Sequence, residues 1–589
     1  MTPTTLMHDQ VRSALAERIE KALKSVAPDT QVMTTAQIHD ALVEPPNPEM
    51  GDLAFGVFPL AKALRMGPPQ ISAKLKESIA LDDVVEKVEA AGPYLNFTVS
   101  MRALGEKVIA PVLNGEMFKR KLIANAPKTM IEYSQPNTHK ELHVGHMRNL
   151  CLGDAIVRMT RYAGIEMITS TFPGDVGTHV AKALWYMKFH NSEPAPVAGK
   201  GEWLGQMYSK GHLLLEDQTG TPQEAKNREQ LTMILKQLES KSGEYYDLWK
   251  ETRQWSIDLM KRVYQWAGVD FDYWYWESDV DSASVQLMQK YFSEGKLVKS
   301  EGAIGMDLSA DNLGFMLLIK SDGTGLYATK DIELARRKFN DVKIQKSLYL
   351  VDMRQALHFK QVFKALEHLG FEQAKDCVHL QYNFVELPDG AMSSRKGNII
   401  PITDLIHRME DTVKEQYLSR YKGEWTDAEM NEVAAQVAKG AVKYGMTRMD
   451  TNKKIVFDMN EWLKIEGESG PFVQYSHARI ASLVRKLGYD SSAKADWSLL
   501  ADPSERRLVR GLMSFNVEVA MAAQGYKPAA ICAYLYEIAK RFNVFYHECP
   551  IGTAATPELR TARLALAAAT GEILAKGLGL LGIPAPQKM

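Results

Sequence analysis

Two short runs in this 589-residue chain have the residue types needed for phosphate chemistry. The first is His143-Val144-Gly145-His146, just ahead of a helical pattern from Met147 to Ala163 that closes on Gly164. A helix start offers free backbone N–H groups and the positive end of the helix dipole to an anion. Two imidazoles three residues apart face one side and can donate hydrogen bonds to phosphate, while Gly145 lets a flat base approach the backbone. This is equipment for nucleotidyl transfer, where a pentacoordinate α-phosphate is stabilised and pyrophosphate leaves. Alone, the run reads equally well as a helix-capping pair of satisfied histidines. The second run is Met392-Ser393-Ser394-Arg395-Lys396-Gly397-Asn398, cationic and rich in donors, suited to triphosphate. Alone it is a solvated basic turn; placed downstream of the first run, it favours the nucleotide reading.

The elements around these runs fit that reading. TMIEYS (129–134) is β-rich and is followed by the loop QPNTHKELHVGH, the helix, a second strand EMITSTF and the loop PGDVGTH. Strand, helix, strand predicts a parallel βαβ unit, with ligands at the carboxyl edge of its first strand. Residues of about 190–260 read as a charged helical insertion, after which strand material (GAIGMDLS, GFMLLIK, SLYLVD) alternates with helices. The chain beyond residue 405 is helical. Ahead of the βαβ unit, Val11, Leu15, Ile19 and Leu23 make one face of a helix over 8–26, and PPQISAKLKESI is a second helix. That unit closes with VEAAGPYLNFTVS, strand-like after its Gly-Pro turn. The expected fold is a multidomain α/β protein. An N-terminal α+β accessory domain (1–122) precedes a Rossmann-like parallel-sheet catalytic domain with a helical insertion (123–404). A basic helical connector (405–455) and a C-terminal all-α bundle (456–589) follow.

Composition bounds the function classes. The chain is 45% hydrophobic and 24% charged, with a formal charge of −1, which excludes a disordered chain and a histone-like basic coat. Cys151, Cys377, Cys532 and Cys549 are scattered without a CxxC pair, so a reducing, cytoplasmic setting is expected and no cysteine-rich metal site. No run of about 18 apolar residues suggests a membrane span. Gly577, Gly579 and Gly582 spell GxGxxG, but they follow a helix with no second strand to come, so helix packing and capping explain them.

Taken together, HVGH and MSSRKGN resemble the two ATP-binding motifs of class I aminoacyl-tRNA synthetases. IEYSQPNTHKELHVGHMRN, with its S-x-P-N-x-x-K-x-x-H-x-G-H pattern, is similar to the arginyl-tRNA synthetase version. LYATKDIELA, DMRQALHF, GPFVQYSHARIASL and the ending GIPAPQKM agree, and the landmarks run from about residue 51 to the end. The resemblance implies ATP-dependent activation of L-arginine and transfer to the terminal adenosine of tRNA(Arg). It places ATP at His143, Gly145, His146, Met392, Ser393, Arg395, Lys396 and Gly397, with Lys140, Ser393 and Ser394 sharing the catalytic work. It places arginine at Glu132, Ser134, Asn137, Tyr327, Asp331 and Gln355. It assigns anticodon reading to the C-terminal bundle and magnesium to ATP, with no dedicated protein metal site. A monomer is expected.

Departures from the family pattern are specific. The general K-M-S-K-S loop is Ala391-Met392-Ser393-Ser394-Arg395 here, and Lys140 or Lys396 is expected to replace the missing cation. The usual G-D-W-G-T-Q loop is Gly174-Asp175-Val176-Gly177-Thr178-His179. The stretch 437–454 carries Lys439, Lys443 and Arg448, a candidate phosphate track or a solvated helix face. Tyr475 and Arg479 are candidates for stacking on anticodon bases. A non-catalytic tRNA-binding paralogue is the rival reading, kept open by the altered 174–179 loop.

Overall fold

A computed structural model describes residues 4–6, 8–28, 32–387, 390–391 and 400–589. Met392, Ser393, Ser394, Arg395, Lys396 and Gly397 lie outside the described residues.

The centre is a five-stranded parallel sheet in the order Cys377–Tyr382, Lys346–Asp352, Thr129–Glu132, Met167–Thr171, Tyr273–Trp274. Thr129–Glu132 is buried at every position, as a strand covered on both faces must be. The chain builds the sheet outward from this strand to Tyr273–Trp274, then returns to its other side with Lys346–Asp352. The strand order therefore reverses between Thr129–Glu132 and Lys346–Asp352, which opens a crevice at their carboxyl ends.

The helix leaving the first strand spans Val144–Ala163, three residues longer at its start than the pattern from Met147 suggests. The extension follows from His143, an extended N-cap residue whose side chain accepts from Gly145 N. Gly164 ends the helix in the left-handed region, φ 98°. Gly153 lets it lie against the first strand's end: a Cβ there would sit 2.1 Å from the Tyr133 ring.

The strand material expected in GAIGMDLS and GFMLLIK is present, but it does not join the parallel sheet. Instead Val298–Ser300, Ala303–Asp307 and Phe315–Ile319 form a separate antiparallel sheet. Tight local turns join these three strands, so they pair with one another before reaching the parallel sheet. The insertion is helical: Lys200–Asp217, Gln223–Glu239 and Glu244–Ala267.

The N-terminal unit has helices Gln10–Val26 and Pro68–Ser78 on an antiparallel sheet in the order Leu42–Val43, Leu53–Gly56, Tyr94–Val99, Val85–Ala91. Its last two strands form a hairpin, so strand lies on both sides of the Gly92-Pro93 turn. Val11, Leu15, Ile19 and Leu23 are buried. After residue 405 the chain is dominated by helices, among them Asp427–Thr447, Gly470–Leu487, Pro528–Glu548 and Pro557–Leu580. One buried apolar cluster continues from Val11 through Val144 and Leu350 to Phe545 and Ile583, so the three units share a core. Gly577 packs on Leu535 inside the last helix, and Gly582 takes φ 67° just beyond it. Among the described residues, no helix is long and apolar enough to cross a membrane.

Candidate active site

His143 and His146 stand at the crevice, their ring centroids 4.0 Å apart. His143 Nδ1 accepts from Gly145 N at 3.2 Å, and His146 Nδ1 accepts from His143 N at 3.1 Å. Each Nδ1 being an acceptor, the ring proton of the neutral form sits on Nε2, which is left as a donor. Burial holds the His143 imidazole down at about 4, helped by the charges of Lys140 and Arg354. Burial first, then His143 and Lys140, push His146 well below the ordinary imidazole range. Both rings are therefore neutral N–H donors near pH 7.

This changes one expectation. The first amides of the helix were to hold an anion, but Gly145 N donates to His143 and His146 N to the His143 carbonyl. Val144 N donates to Ile400 O at 3.2 Å. With those amides satisfied internally, the imidazole Nε2–H groups remain to meet phosphate. Ile402 N also donates to Leu142 O at 2.9 Å, so the chain returning from the second motif docks on the HVGH loop. Residues 400–402, which follow the second motif in sequence, thus meet the loop that carries the first.

Lys140 is half-buried, with its Nζ 5.0 Å from the centre of the Tyr208 ring on the insertion. Its charge depresses His143, His146 and His179. His179 Nε2 lies 3.2 Å from Gly174 O, and burial first, then Lys140, holds this ring at about 3. Val176 packs against a cluster that joins Val180 and Trp185 to Trp249 of the insertion, which accounts for an apolar residue at that position.

The residues expected around arginine fall into two groups. Glu132 is buried, but its Oε2 accepts from Lys338 Nζ at 2.5 Å. Asp331 Oδ2 stands 2.6 Å from His358 Nε2. Burial opposes protonation of His358, yet the hydrogen bond and charge of Asp331 outweigh it and raise that imidazole. Asn137 abuts Gly174, where a Cβ would meet Asn137 Oδ1 at 2.3 Å and Glu277 Cδ at 3.4 Å. Tyr327 opens the helix Tyr327–Asp341 that also carries Asp331, and it is 64% exposed. Gln355 is exposed too. Ser134 is buried at φ 53°; its hydroxyl donates to Tyr264 OH at 3.0 Å and its amide to Asn149 Oδ1 at 2.6 Å. Its hydroxyl thus already has a protein partner.

Sequence reasoning missed several neighbours. Asn149 joins the two switch-point strands, since its Nδ2 donates to Leu350 O at 2.8 Å while its Oδ1 accepts from Ser134. Asp175 is buried and accepts from Arg253 Nε at 2.7 Å and Ser278 N at 2.9 Å. Glu277 faces Lys330 at 3.5 Å. Burial raises Glu277 to about 7, against Lys330 and with Asp175 and Asp331 adding to the rise. Asp175 and Asp331 thus lie near enough to act on Glu277; Asp175 is paired with Arg253, Asp331 with His358 and Glu277 with Lys330. Among the described residues, no group of three or more His, Cys, Asp or Glu could hold a metal ion.

The candidate tRNA track needs a correction. Lys443 is 0% exposed and its Nζ pairs with Asp154 Oδ2 at 2.5 Å, so it joins two helices and meets no phosphate. Lys439 is half-buried beside the Trp266 ring, and Arg448 Nη1 donates to Glu468 O at 2.8 Å. Arg479 lies 5.0 Å over the Tyr475 ring and 5.7 Å over that of Tyr546, beside a cleft of about 620 Å³.

Residues 107–459 match the family model described as tRNA synthetases class I (R), catalytic domain. Residues 11–99 match the arginyl tRNA synthetase N terminal domain, and 473–589 the DALR anticodon binding domain. An arginine–tRNA ligase of Bdellovibrio bacteriovorus is 62% identical over 588 residues, covering 99% of this chain and 100% of its own. That of Clostridium perfringens is 34% identical over 93% of this chain and 96% of its own. The solved Thermus thermophilus arginyl-tRNA synthetase superposes with a TM-score of 0.78 at 28% identity, over 98% of this chain and 100% of that one. With its three regions each matched and the HVGH loop at the switch point of a parallel sheet, the chain belongs to the arginyl-tRNA synthetase family of class I.

Proposed function

We propose the following roles for this site in the ligation of arginine to tRNA. The arginine carboxylate attacks the α-phosphorus of ATP, forming an O–P bond as the bond to pyrophosphate breaks. His143 and His146 donate from Nε2 to the phosphate oxygens as charge builds there, and Lys140 supplies positive charge beside them. None of the three acts as a nucleophile. Magnesium enters with ATP as part of the substrate.

Arginine's planar cation is held by carboxylates. We assign Asp331 and Glu277 to it, with Glu132, shared with Lys338, as a third carboxylate. Asn137, Ser134, Tyr327 and Gln355 are assigned to the remaining contacts. A ribose hydroxyl of the tRNA's terminal adenosine then attacks the arginyl carbonyl carbon, and AMP leaves. We assign Arg479 and Tyr475 to anticodon bases, and Lys439 and Arg448 to the phosphate track. We take the domain limits as 1–122, 123–404, 405–455 and 456–589. We also take the enzyme to work as a monomer in the cytoplasm, in keeping with four buried, unpaired thiols.

The observation carrying these roles is the pair of neutral imidazoles at the switch point, with Ile400 docked on their loop. ATP–pyrophosphate exchange with L-arginine and tRNA tests it: exchange should appear with arginine and fail with citrulline, which lacks the charge. Exchange without arginine dependence would overturn the assignment.

A further inference from the structure

The helix that presents His143 and His146 carries another cation, Arg148, whose position the chemistry above does not use. It is fully buried. Its Nη1 donates to the carbonyl oxygens of Asn383 at 2.5 Å, Lys453 at 2.9 Å and Phe384 at 3.4 Å, and its Nη2 to that of Asp450 at 3.4 Å. Its Nε has no partner. Burial lowers this guanidinium to about 10, against the nearby Tyr382, Asp352 and Asp450. A charge buried on carbonyl groups is expensive compared with an apolar side chain of similar volume, so filling space does not account for an arginine.

Its acceptors come from two segments that meet beneath it. Asp450 and Lys453 lie in the turn after the helix Asp427–Thr447, on the way to the anticodon binding domain at 473–589. Asn383 and Phe384 lead into the strand Val385–Leu387, which pairs in parallel with Ile455–Val456. The segments also lock to each other, since Asn383 N donates to Thr451 O at 2.8 Å and Ile455 N to Phe384 O at 3.3 Å. A second tie from the same helix, Asp154 to Lys443, reaches the helix Asp427–Thr447. A rigid helix fastened this near its start passes any shift of the turn to its first residues, about 7.5 Å away.

We propose that Arg148 is a positioning residue for adenylate formation: it fixes the ATP-facing end of its helix to the turn 450–453, so that tRNA docking is felt at His143 and His146. The inference rests on the ATP role assigned to those histidines.

Arg148→Lys and Arg148→Met in the full chain test it, by ATP–pyrophosphate exchange with tRNA present and rates normalised to titrated active sites. The expected result is a fall in kcat/KM for ATP of about 100-fold, the effect of roughly 1 Å of misplacement. Arginine KM and tRNA Kd should stay within about twofold. A merely structural role would reduce the number of active sites and leave the rate per site unchanged, which overturns the proposal. If neither variant folds, hydrogen exchange on the unaltered protein decides. Added tRNA should protect residues 143–148 together with 450–457, and protection confined to 450–457 overturns it. His143→Ala run alongside separates the layers. If that variant keeps its kcat/KM for ATP, the histidine assignment falls; if it loses activity while the Arg148 variants do not, the positioning role alone falls.

Discussion

Lys338 Nζ stands 2.5 Å from Glu132 Oε2, at the carboxyl end of the first parallel strand, and both side chains are shielded from solvent. The lysine also lies 4.1 Å over the Tyr349 ring. A carboxylate expected to serve arginine is thus already half-committed to the protein. Lys338→Met leaves Glu132 unpaired in the interior and should cost about 3–5 kcal/mol. The double variant with Glu132→Gln should recover most of that loss in a urea melt. A single variant as stable as the parent would show that the pair does not support the site.

Glu277 should make arginine binding depend on pH near neutrality. Burial raises its carboxyl to about 7, so it is neutral below that pH and anionic above it. Cationic arginine favours the ionised form, so arginine KM should fall between about pH 6 and pH 8. Glu277→Gln should flatten that trend and raise KM roughly tenfold at the upper end, the loss of one charge-assisted hydrogen bond. An unchanged pH profile would remove Glu277 from the pocket.

The histidines should be insensitive over the same range. With His143 held at about 4 and His146 below its usual range, exchange should show no loss from imidazole protonation on acidification to about pH 5.5. Asn is a good N-cap, so His143→Asn should keep the helix and lose about 100-fold in exchange through the missing donor. A retained rate in a stable variant would make His143 a cap and nothing more.

Two lysines four residues apart should part company in tRNA binding. Lys439→Ala should reduce the slope of log K against log salt by about one, as for a lost phosphate contact. Lys443→Met should leave the slope alone and lower the melting temperature, because Asp154 loses its buried partner and keeps only Arg158. Equal slope changes would restore Lys443 to the surface track.

What the sequence disclosed and withheld follows from distance along the chain. HVGH with its strand and helix is legible because cap, helix and turn lie within a few residues. The partner of Lys443 is 289 residues away, so its lysine looks like any other in a basic stretch. Glu132 and Lys338 are 206 apart and suffer the same loss. Glu277 has no local signature; burial raises its carboxyl, and Asp175 and Asp331, which add to the rise, come from distant parts of the chain. The strands at 303–319 show why type is easier than topology. Their alternation marks extended chain, but nothing local says which sheet they join.

Val144–Ala163 runs without a break, and Arg148, Asn149, Asp154 and Arg158 each hold a different neighbour outside it. Adding or deleting one residue within it would turn everything on one side by about 100° and slide it by about 1.5 Å relative to the other. Side-chain replacements along this stretch can be repaired one neighbour at a time, but a change in its length cannot. The reading frame of a single helix is therefore where this enzyme should tolerate insertions least.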